Sequence, residues 1–132
     1  MGDWRHLCLR ILVGAGFIFA DEAMKSQVTI FDLQAELCSA MSHSIRLQIV
    51  HLLRDGPKRV NAIADELGVG QATISRHLAI LRNVGILSAQ RQGTDMLYQI
   101  VNPRITEICE AMRSVLAERE SQRSEILQNF QE

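Results

Sequence analysis

The stretch VNAIADELGVGQATISRHLAILRNV, residues 60–84, decides the fold of this 132-residue chain. An apolar group, two glycines and a second apolar series succeed one another along it: Ile63, Ala64 and Leu67; Gly68 and Gly70; Ile74, Leu78 and Leu81. The spacing of the second series places its side chains on one face of a helix. Glycines between two such groups are typical of a turn. The stretch therefore predicts two short helices joined by a tight turn.

The opposite face of the second predicted helix carries small, polar and basic side chains: Ala72, Thr73, Arg76, Ala79 and Asn83. Such a face does not suit a core, but it can enter the major groove of DNA. An ordinary helical hairpin would contain the same two helices. The next part of the chain favours the first interpretation, because two strand-like runs, residues 86–91 and 96–101, flank Gln92-Gly93-Thr94-Asp95. Helix, turn, helix and hairpin in this order are typical of a winged helix.

Three segments resemble, in order and spacing, the ArsR/SmtB family of winged-helix transcriptional repressors: AELCSAMSHSIRLQIVHLLRDG, ADELGVGQATISRHLAILRNVGIL and RQGTDMLYQI. The resemblance covers residues 35–101, and its most specific part is ISRHL, succeeded by LRNVGIL and a glycine-containing wing. It implies a homodimer that binds an operator in double-stranded DNA. The chain departs from the family at His43-Ser44-Ile45, where an Asp-Pro-Thr type of sequence is usual.

The charge is distributed unevenly along the chain, although the formal net charge is only −1. Residues 43–104 hold eight basic and four acidic side chains, a net charge of +4. Residues 1–42 have three basic and five acidic side chains, and residues 105–132 have three basic and six acidic. The basic excess therefore coincides with the predicted helix-turn-helix and wing, where phosphate contacts would be needed.

Helices are also predicted on both sides of the helix-turn-helix. Residues 43–54 form a helix capped by Ser42 or Ser44 and stopped by Asp55-Gly56-Pro57. Its apolar side chains belong to the core: Ile45, Ile49, Leu52 and Leu53. Pro103 suits the first turn of a last helix that extends to Phe130.

Two predicted helices, residues 28–41 and 103–130, carry apolar faces that suit a partner better than solvent. Together they predict a symmetric homodimer interface. The predicted fold is thus mainly α with a small β-hairpin wing, dimerising through the N- and C-terminal helices. With 47% hydrophobic but only 5% aromatic residues, aliphatic side chains must fill the core of a single domain.

The first 27 residues are open to three interpretations. Basic side chains precede an apolar run, residues 11–20, in a pattern similar to a short secretory signal. Export does not suit a DNA-binding protein, and the run is too short to span a bilayer. The segment is an ordered helix packed on the dimer, a loose extension, or sequence upstream of a working start at Met24. Residues 28–132 are taken as the winged helix-turn-helix domain with its dimerisation helices.

The candidate DNA-binding residues lie at the start of the recognition helix and in the wing: Gln71, Thr73, Ser75, Arg76, His77, Arg91 and Gln92. Helix N-termini offer both side chains and free amides to DNA. Arg76 is the strongest candidate for a guanine or phosphate contact. His77 lies about 60° from the apolar centre of the helix, which favours a half-buried structural histidine. Asp95 departs from the basic residues common in wings of the family and is expected to weaken or restrict wing contact.

Three cysteines, Cys8, Cys38 and Cys109, are too few and too widely spaced for a disulfide framework and favour a reducing compartment, the cytoplasm. The resemblance implies thiolate sensing of soft metal ions or metalloids, or reversible cysteine modification, as in many relatives. The paired-cysteine, persulfide and zinc motifs of those relatives are incomplete here. Cys38 and Cys109 lie in the apolar stripes of the dimer helices. They are therefore either small core residues or a metal or thiol sensor.

Other classes of function find little support in the sequence. It contains no Gly-rich phosphate loop, no HExxH and no nucleophile with a well-placed base, so an enzyme is not predicted. Two alternatives to an inducible repressor stay open: a winged-helix DNA-binding protein without small-molecule sensing, and a protein-interaction module. The basic excess of residues 43–104 disfavours the second alternative.

Overall fold

The computed structural model describes residues 27–129. Their helices and strands are α1 (Ile30–Met41), α2 (Ser44–Leu53), β1 (Lys58–Arg59), α3 (Val60–Leu67), α4 (Gln71–Asn83), β2 (Leu87–Gln92), β3 (Asp95–Ile100) and α5 (Arg104–Asn129). The predicted order of helices and hairpin is confirmed. The interpretations of the N-terminal segment, Cys8 and the end of the last helix at Phe130 fall outside the described residues. The chain divides into two units after Ala35, and the hydrophobic core lies in the second.

The core of the second unit is built on the helix-turn-helix. Five aliphatic side chains from α2, α3 and α4 are completely buried: Ile49, Ile63, Ile74, Leu78 and Leu81. Of the core residues predicted in α2, Ile49 and Leu53 are buried, whereas Ile45 and Leu52 are half-buried and pack against the core. The inner face of α4 is thus fixed by packing, and its outer face stays in solvent.

Strands β2 and β3 form the predicted hairpin, but its turn is shorter than expected. The register pairs Leu87 with Ile100 at one end and Gln92 with Asp95 at the other. Only two residues connect the strands, and Gly93 has a positive φ of 62°, as two-residue hairpin turns require. The sheet also contains a strand that the sequence did not predict, because β1 pairs with β3 in the order β1-β3-β2.

The start of α2 corrects one prediction. Neither Ser42 nor Ser44 caps the helix; His43 does so, because its Nδ1 accepts a hydrogen bond from the Ile45 amide at 3.2 Å. Nδ1 of histidine is the same number of bonds from Cα as Oδ1 of asparagine, which is a favoured N-cap residue. Nδ1 can therefore accept a hydrogen bond in the same position. The Ser42 hydroxyl instead donates a hydrogen bond to the Ser39 carbonyl, at a distance of 2.6 Å.

Helix α1 begins with a reciprocal cap in the first unit. The Asp32 amide donates to Thr29 Oγ1 at 3.2 Å, and the Thr29 amide donates to Asp32 Oδ2 at 2.8 Å. The hydrogen bonds from Thr29 also hold the pKa of the Asp32 carboxyl below its ordinary value. This arrangement is a capping box, and it explains why the helix begins two residues later than predicted.

The turn between α3 and α4 depends on Gly68, whose φ is 65°. The Val69 amide donates to the Ala64 carbonyl at 3.1 Å, and the Gly68 amide donates to the Asp65 carbonyl at 3.4 Å. This is a Schellman motif, in which a left-handed residue ends the helix. It directs the chain into α4 within three residues.

Gly68→Ala is expected to lower the free energy of unfolding by about 1–2 kcal/mol, because a Cβ disfavours the left-handed conformation. Apart from its two chain neighbours, no described residue has an atom within 4 Å of the position that this Cβ would take, so the substitution tests backbone strain. Urea unfolding measures the change. Gly68→Asn is the matched control and should lose less, because asparagine tolerates this conformation. Equal losses in the two variants would contradict the assignment.

Helix α5 starts at an asparagine cap and extends well past the core. Asn102 Oδ1 accepts a hydrogen bond from the Arg104 amide at 3.0 Å, with Pro103 between them. The 26 residues of α5 correspond to a length of about 39 Å. Cys109 is its only buried residue, and residues 110–129 are all exposed in the single chain. No helix in the described part of the chain is long and apolar enough to cross a membrane.

Candidate nucleic-acid interface

The outer face of α4 exposes most of the residues predicted to contact DNA. Gln71, Ser75 and Arg76 are exposed, and Thr73 is half-buried. Arg76 Nη2 lies 3.4 Å from Thr73 Oγ1, so the guanidinium extends along the face towards the start of the helix. Gly70 precedes the helix and has no side chain with which to cap it. The first-turn amides therefore receive no side-chain cap and can donate to a phosphate.

Some basic side chains of the described region have a carboxylate partner, and others have none. Lys58 pairs with Glu66 at 2.8 Å, and Arg54 lies 3.6 Å from both Asp55 and Glu110. Within residues 27–129, by contrast, no ion pair involves Arg76 on the outer face of α4 or Arg91 in the wing. Unpaired cations attract phosphate more strongly than cations whose field is already offset.

The wing places Arg91 and Gln92 at its exposed end, just before the turn. Asp95 begins the returning strand, and its Oδ2 lies 3.3 Å from Arg59 Nη1. This ion pair offsets the negative charge of Asp95 and ties the end of the wing to β1. The effect of Asp95 on contact between the wing and DNA stays a prediction.

His77 does not share the outer face with Arg76. It is half-buried, with its ring centroid 4.5 Å from that of His43, and its Nδ1 lies 3.3 Å from Arg46 Nη1. Burial lowers the pKa of His77, and the nearby charges of His43, Arg46 and Arg76 lower it further. Its surroundings are those of the half-buried structural histidine rather than of a residue free to contact a base. The sequence alone did not predict a role for Arg46, because nothing local connects residues so far apart in the chain.

The two cysteines of the described region have different surroundings. Cys109 is buried, but Cys38 is exposed in the single chain, so the core interpretation fits only Cys109. Burial raises the pKa of the Cys109 thiol, although Arg113 acts in the opposite direction. The charge of Arg113 is largely offset, because its Nη2 donates to Glu110 Oε1 at 2.6 Å. The thiolate form of Cys109 is therefore disfavoured.

Residues 27–129 of the single chain do not by themselves assemble a metal centre. No group of three or more histidine, cysteine, aspartate or glutamate side chains there is arranged to hold an ion. Structural zinc sites use four such ligands, and the site residues predicted from sequence supply only Cys38 and Cys109.

The Cys109 thiol is expected to react at least about ten-fold more slowly in the native protein than in urea, because burial disfavours its thiolate. The variant Cys8→Ser/Cys38→Ser keeps this thiol alone, and a chromogenic aromatic disulfide reports its rate. Free cysteine, measured with the same reagent in buffer and in urea, is the control and should show a much smaller difference. A native Cys109 rate equal to the rate in urea would contradict the burial.

Comparison with known proteins agrees with this geometry. The family model "Bacterial regulatory protein, arsR family" matches residues 43–89. An uncharacterised HTH-type transcriptional regulator of Mycobacterium tuberculosis is 30% identical over 102 residues, which is 76% of this chain and 90% of that protein. A biofilm growth-associated repressor of Xylella fastidiosa is 28% identical over 88 residues, 67% of this chain and 77% of that protein.

Solved structures show the same fold. The crystal structure of Rv0081 from Mycobacterium tuberculosis matches with a TM-score of 0.65 and 31% identity, covering 74% of this chain and 98% of that one. A homodimeric winged helix-turn-helix DNA-binding domain from Mycobacterium bovis matches with a TM-score of 0.62 and 31% identity, over 67% of this chain and 82% of that one. These matches confirm the resemblance found in the sequence. The chain belongs to the ArsR family of bacterial regulatory proteins, and its winged helix-turn-helix is the DNA-binding domain of a transcriptional regulator.

Proposed function

We propose that this protein is a homodimeric cytoplasmic repressor that binds an inverted repeat in double-stranded DNA, with one α4 helix in each half-site. The outer face of α4 is the main observation in support of this proposal. It combines an N-terminus without a side-chain cap, exposed hydrogen-bonding side chains and Arg76, whose charge has no carboxylate partner in the described region. The buried inner face of the same helix holds this surface on a rigid support.

The assignment of contacts depends on the position of each side chain. Gln71 and Arg76 lie on the exposed part of α4 that would face base edges. Ser75 lies at the flank of this face, and the Thr73 hydroxyl is close enough to Arg76 to orient its guanidinium. Arg91 and Gln92 in the wing would contact the neighbouring phosphates or minor groove. His77 is assigned an indirect role, because its ring is held by other side chains.

The homodimer is supported by a continuous apolar surface on α5, which we term the α5 stripe: Ile108, Met112, Val115 and Leu116. Between 55% and 63% of each of these side chains is exposed in the single chain. The four lie within about 100° of one another around the helix axis, so they form one face. Helix α1 also exposes apolar side chains: Ile30, Phe31, Leu33 and Leu37. Surfaces of this kind are typical of protein interfaces.

The proposal does not include a resident metal, because the donors in the described region do not form a site. It also assigns no sensing role to Cys109, whose buried thiol is disfavoured as a thiolate. A thiol-reactive signal, if the repressor responds to one, has better access to Cys38, which is exposed in the single chain.

Footprinting on DNA upstream of the protein's own gene, combined with sedimentation, tests the proposal. We expect a dimer at micromolar concentration and two protected half-sites related by a dyad, centred about 34–36 Å apart. Binding to the protected sequence should exceed binding to random DNA by at least about 10³-fold at physiological salt. A monomer that leaves no symmetric footprint would contradict it.

A further inference from the structure

The Arg46 side chain connects the end of α1 with the recognition helix. It lies half-buried on α2, and its Nε donates to the Ala40 carbonyl. Its Nη2 lies 3.5 Å from the Ser39 carbonyl, and its Nη1 lies 3.3 Å from His77 Nδ1 on α4. The three nitrogen atoms of one rigid, planar guanidinium thus have acceptors on two other helices. A movement of α1 relative to α2 would therefore be transmitted to α4.

The hydrogen bond from Arg46 requires Nδ1 of His77 to be unprotonated. A guanidinium can only donate, so His77 Nδ1 must accept and cannot carry a proton. His43 Nδ1 also accepts, from the Ile45 amide, in the cap of α2. The two rings lie 4.5 Å apart between their centroids, with their planes tilted by 40°. Protonation of the His77 Nδ1 would replace the hydrogen bond from Arg46 with repulsion between two cations.

We propose that Arg46 is a positioning residue for the recognition helix, which it holds against the end of α1 through the neutral ring of His77, and that protonation of this ring weakens operator binding. The inference rests on the proposed function, since it needs an operator that α4 binds specifically. The coupling would link the helices around the proposed dimer interface to the DNA-binding surface without any bound effector.

The charges around His77 determine the sign of the pH effect. The groups that face it are His43 in the cap of α2, Arg46 on α2 and Arg76 on its own helix, and all of them lower its pKa. In the described part of the chain, α1 contributes backbone carbonyls to Arg46 and no charged group. The pKa of His77 is lowered, so the unfolded chain binds the proton more readily than the native state. The hydrogen bond from Arg46 to His77 therefore makes its full contribution to stability above the ordinary histidine pKa of about 6.5. That contribution is lost as the pH falls through the lower native pKa of His77.

This sign is opposite to the usual effect of histidine protonation on DNA binding. Extra positive charge near phosphates strengthens binding on any sequence. The inference instead requires acid to weaken binding to the operator while leaving binding to random DNA unchanged or stronger. An electrostatic contribution alone cannot produce that difference.

The test measures affinity for the footprinted operator and for random DNA at constant ionic strength, from about pH 8 down to about pH 4.5, because the native pKa of His77 lies below the ordinary histidine pKa of about 6.5. For the wild-type protein, we expect acid to weaken operator binding by about five-fold or more. His77→Gln cannot be protonated and should lose this pH dependence. His51→Gln removes an exposed histidine from the same α2 helix and should retain it.

Arg46→Lys provides a second measurement at constant charge. One ammonium group cannot reproduce the planar set of donors, so at pH 8 we expect operator binding about five-fold weaker or more, with binding to random DNA unchanged. Parallel losses on both DNAs would assign Arg46 to a phosphate and overturn the inference. So would a wild-type operator affinity that acid leaves unchanged or raises, or a His77→Gln variant with the wild-type pH profile. If the wild-type protein does not prefer any operator at pH 8, the proposed function itself fails.

Discussion

Met112→Glu is expected to convert the proposed homodimer into a monomer and to weaken operator binding by about 10²–10⁴-fold, the usual contribution of a second linked binding site. Met112 lies in the middle of the α5 stripe and is 62% exposed in the single chain. Removing it from an interface forfeits about 1.5–3 kcal/mol of apolar burial. Because a two-fold axis relates the two protomers, the interface would contain the substitution twice. Each of the two new carboxylates would also have to be desolvated.

Sedimentation velocity and operator titration measure the two consequences of Met112→Glu. Ser121→Glu is the matched control, because it adds the same charge to α5 about 180° around the helix from Met112. It should leave the dimer and the operator affinity unchanged. Helical content by circular dichroism should be the same for both variants, since both positions are exposed in the chain itself. A dimeric Met112→Glu variant would place the interface elsewhere.

The local elements of this fold could be predicted because their signals lie within a few residues of one another. Apolar spacing and glycines were sufficient for α3, α4 and the turn between them, and the second glycine-centred pattern predicted the β2–β3 hairpin. The capping box at Thr29 and Asp32 is also local, and it fixes the start of α1 more closely than apolar spacing does. Elements whose hydrogen bonds are local are accessible from sequence.

Features that depend on distant partners could not be predicted in the same way. Strand β1 has only two residues and exists because Lys58 and Arg59 pair with β3, so it has no periodicity of its own. The ion pair between Arg59 and Asp95 and the contact between Arg46 and His77 likewise join separate elements. In each case tertiary structure, not local preference, determines the partner. The histidine cap of α2 is local, but residue preference favours serine, because histidine is not among the common N-cap residues.

The same distinction between local signals and distant contacts applies to the candidate site. The helical period predicted the exposure of Arg76 and the intermediate burial of His77, whereas Gln71 was selected by its position in the first turn. It also placed Cys38 and Cys109 in apolar stripes, but burial further depends on what covers a stripe. The core covers Cys109 on α5, whereas no neighbour in the described part of the single chain covers Cys38 on α1. The period of a helix therefore predicts which residues share a face, but not which faces are occupied.

Arg76→Ala is expected to weaken operator binding by about 1–3 kcal/mol, or roughly 5- to 150-fold, if its guanidinium contacts a base. The preference for a particular base at one position of each half-site should then become weaker, while the affinity for random DNA changes little. If the guanidinium contacts only phosphate, affinity should fall about equally on operator and random DNA, and the dependence of binding on salt should become weaker. Titrations of both DNAs at several salt concentrations distinguish the two contacts.

Arg82→Ala is the matched control for Arg76→Ala. It removes the same charge from the last turn of α4, and in the described part of the chain it too breaks no ion pair. Arg76 is exposed, and its only side-chain hydrogen bond within residues 27–129 is the 3.4 Å contact with Thr73. Both variants should therefore keep the wild-type free energy of unfolding within about 0.5 kcal/mol. A selective loss in Arg76→Ala then identifies a contact at the start of α4. Equal affinities of wild type and Arg76→Ala on both DNAs would remove Arg76 from the interface.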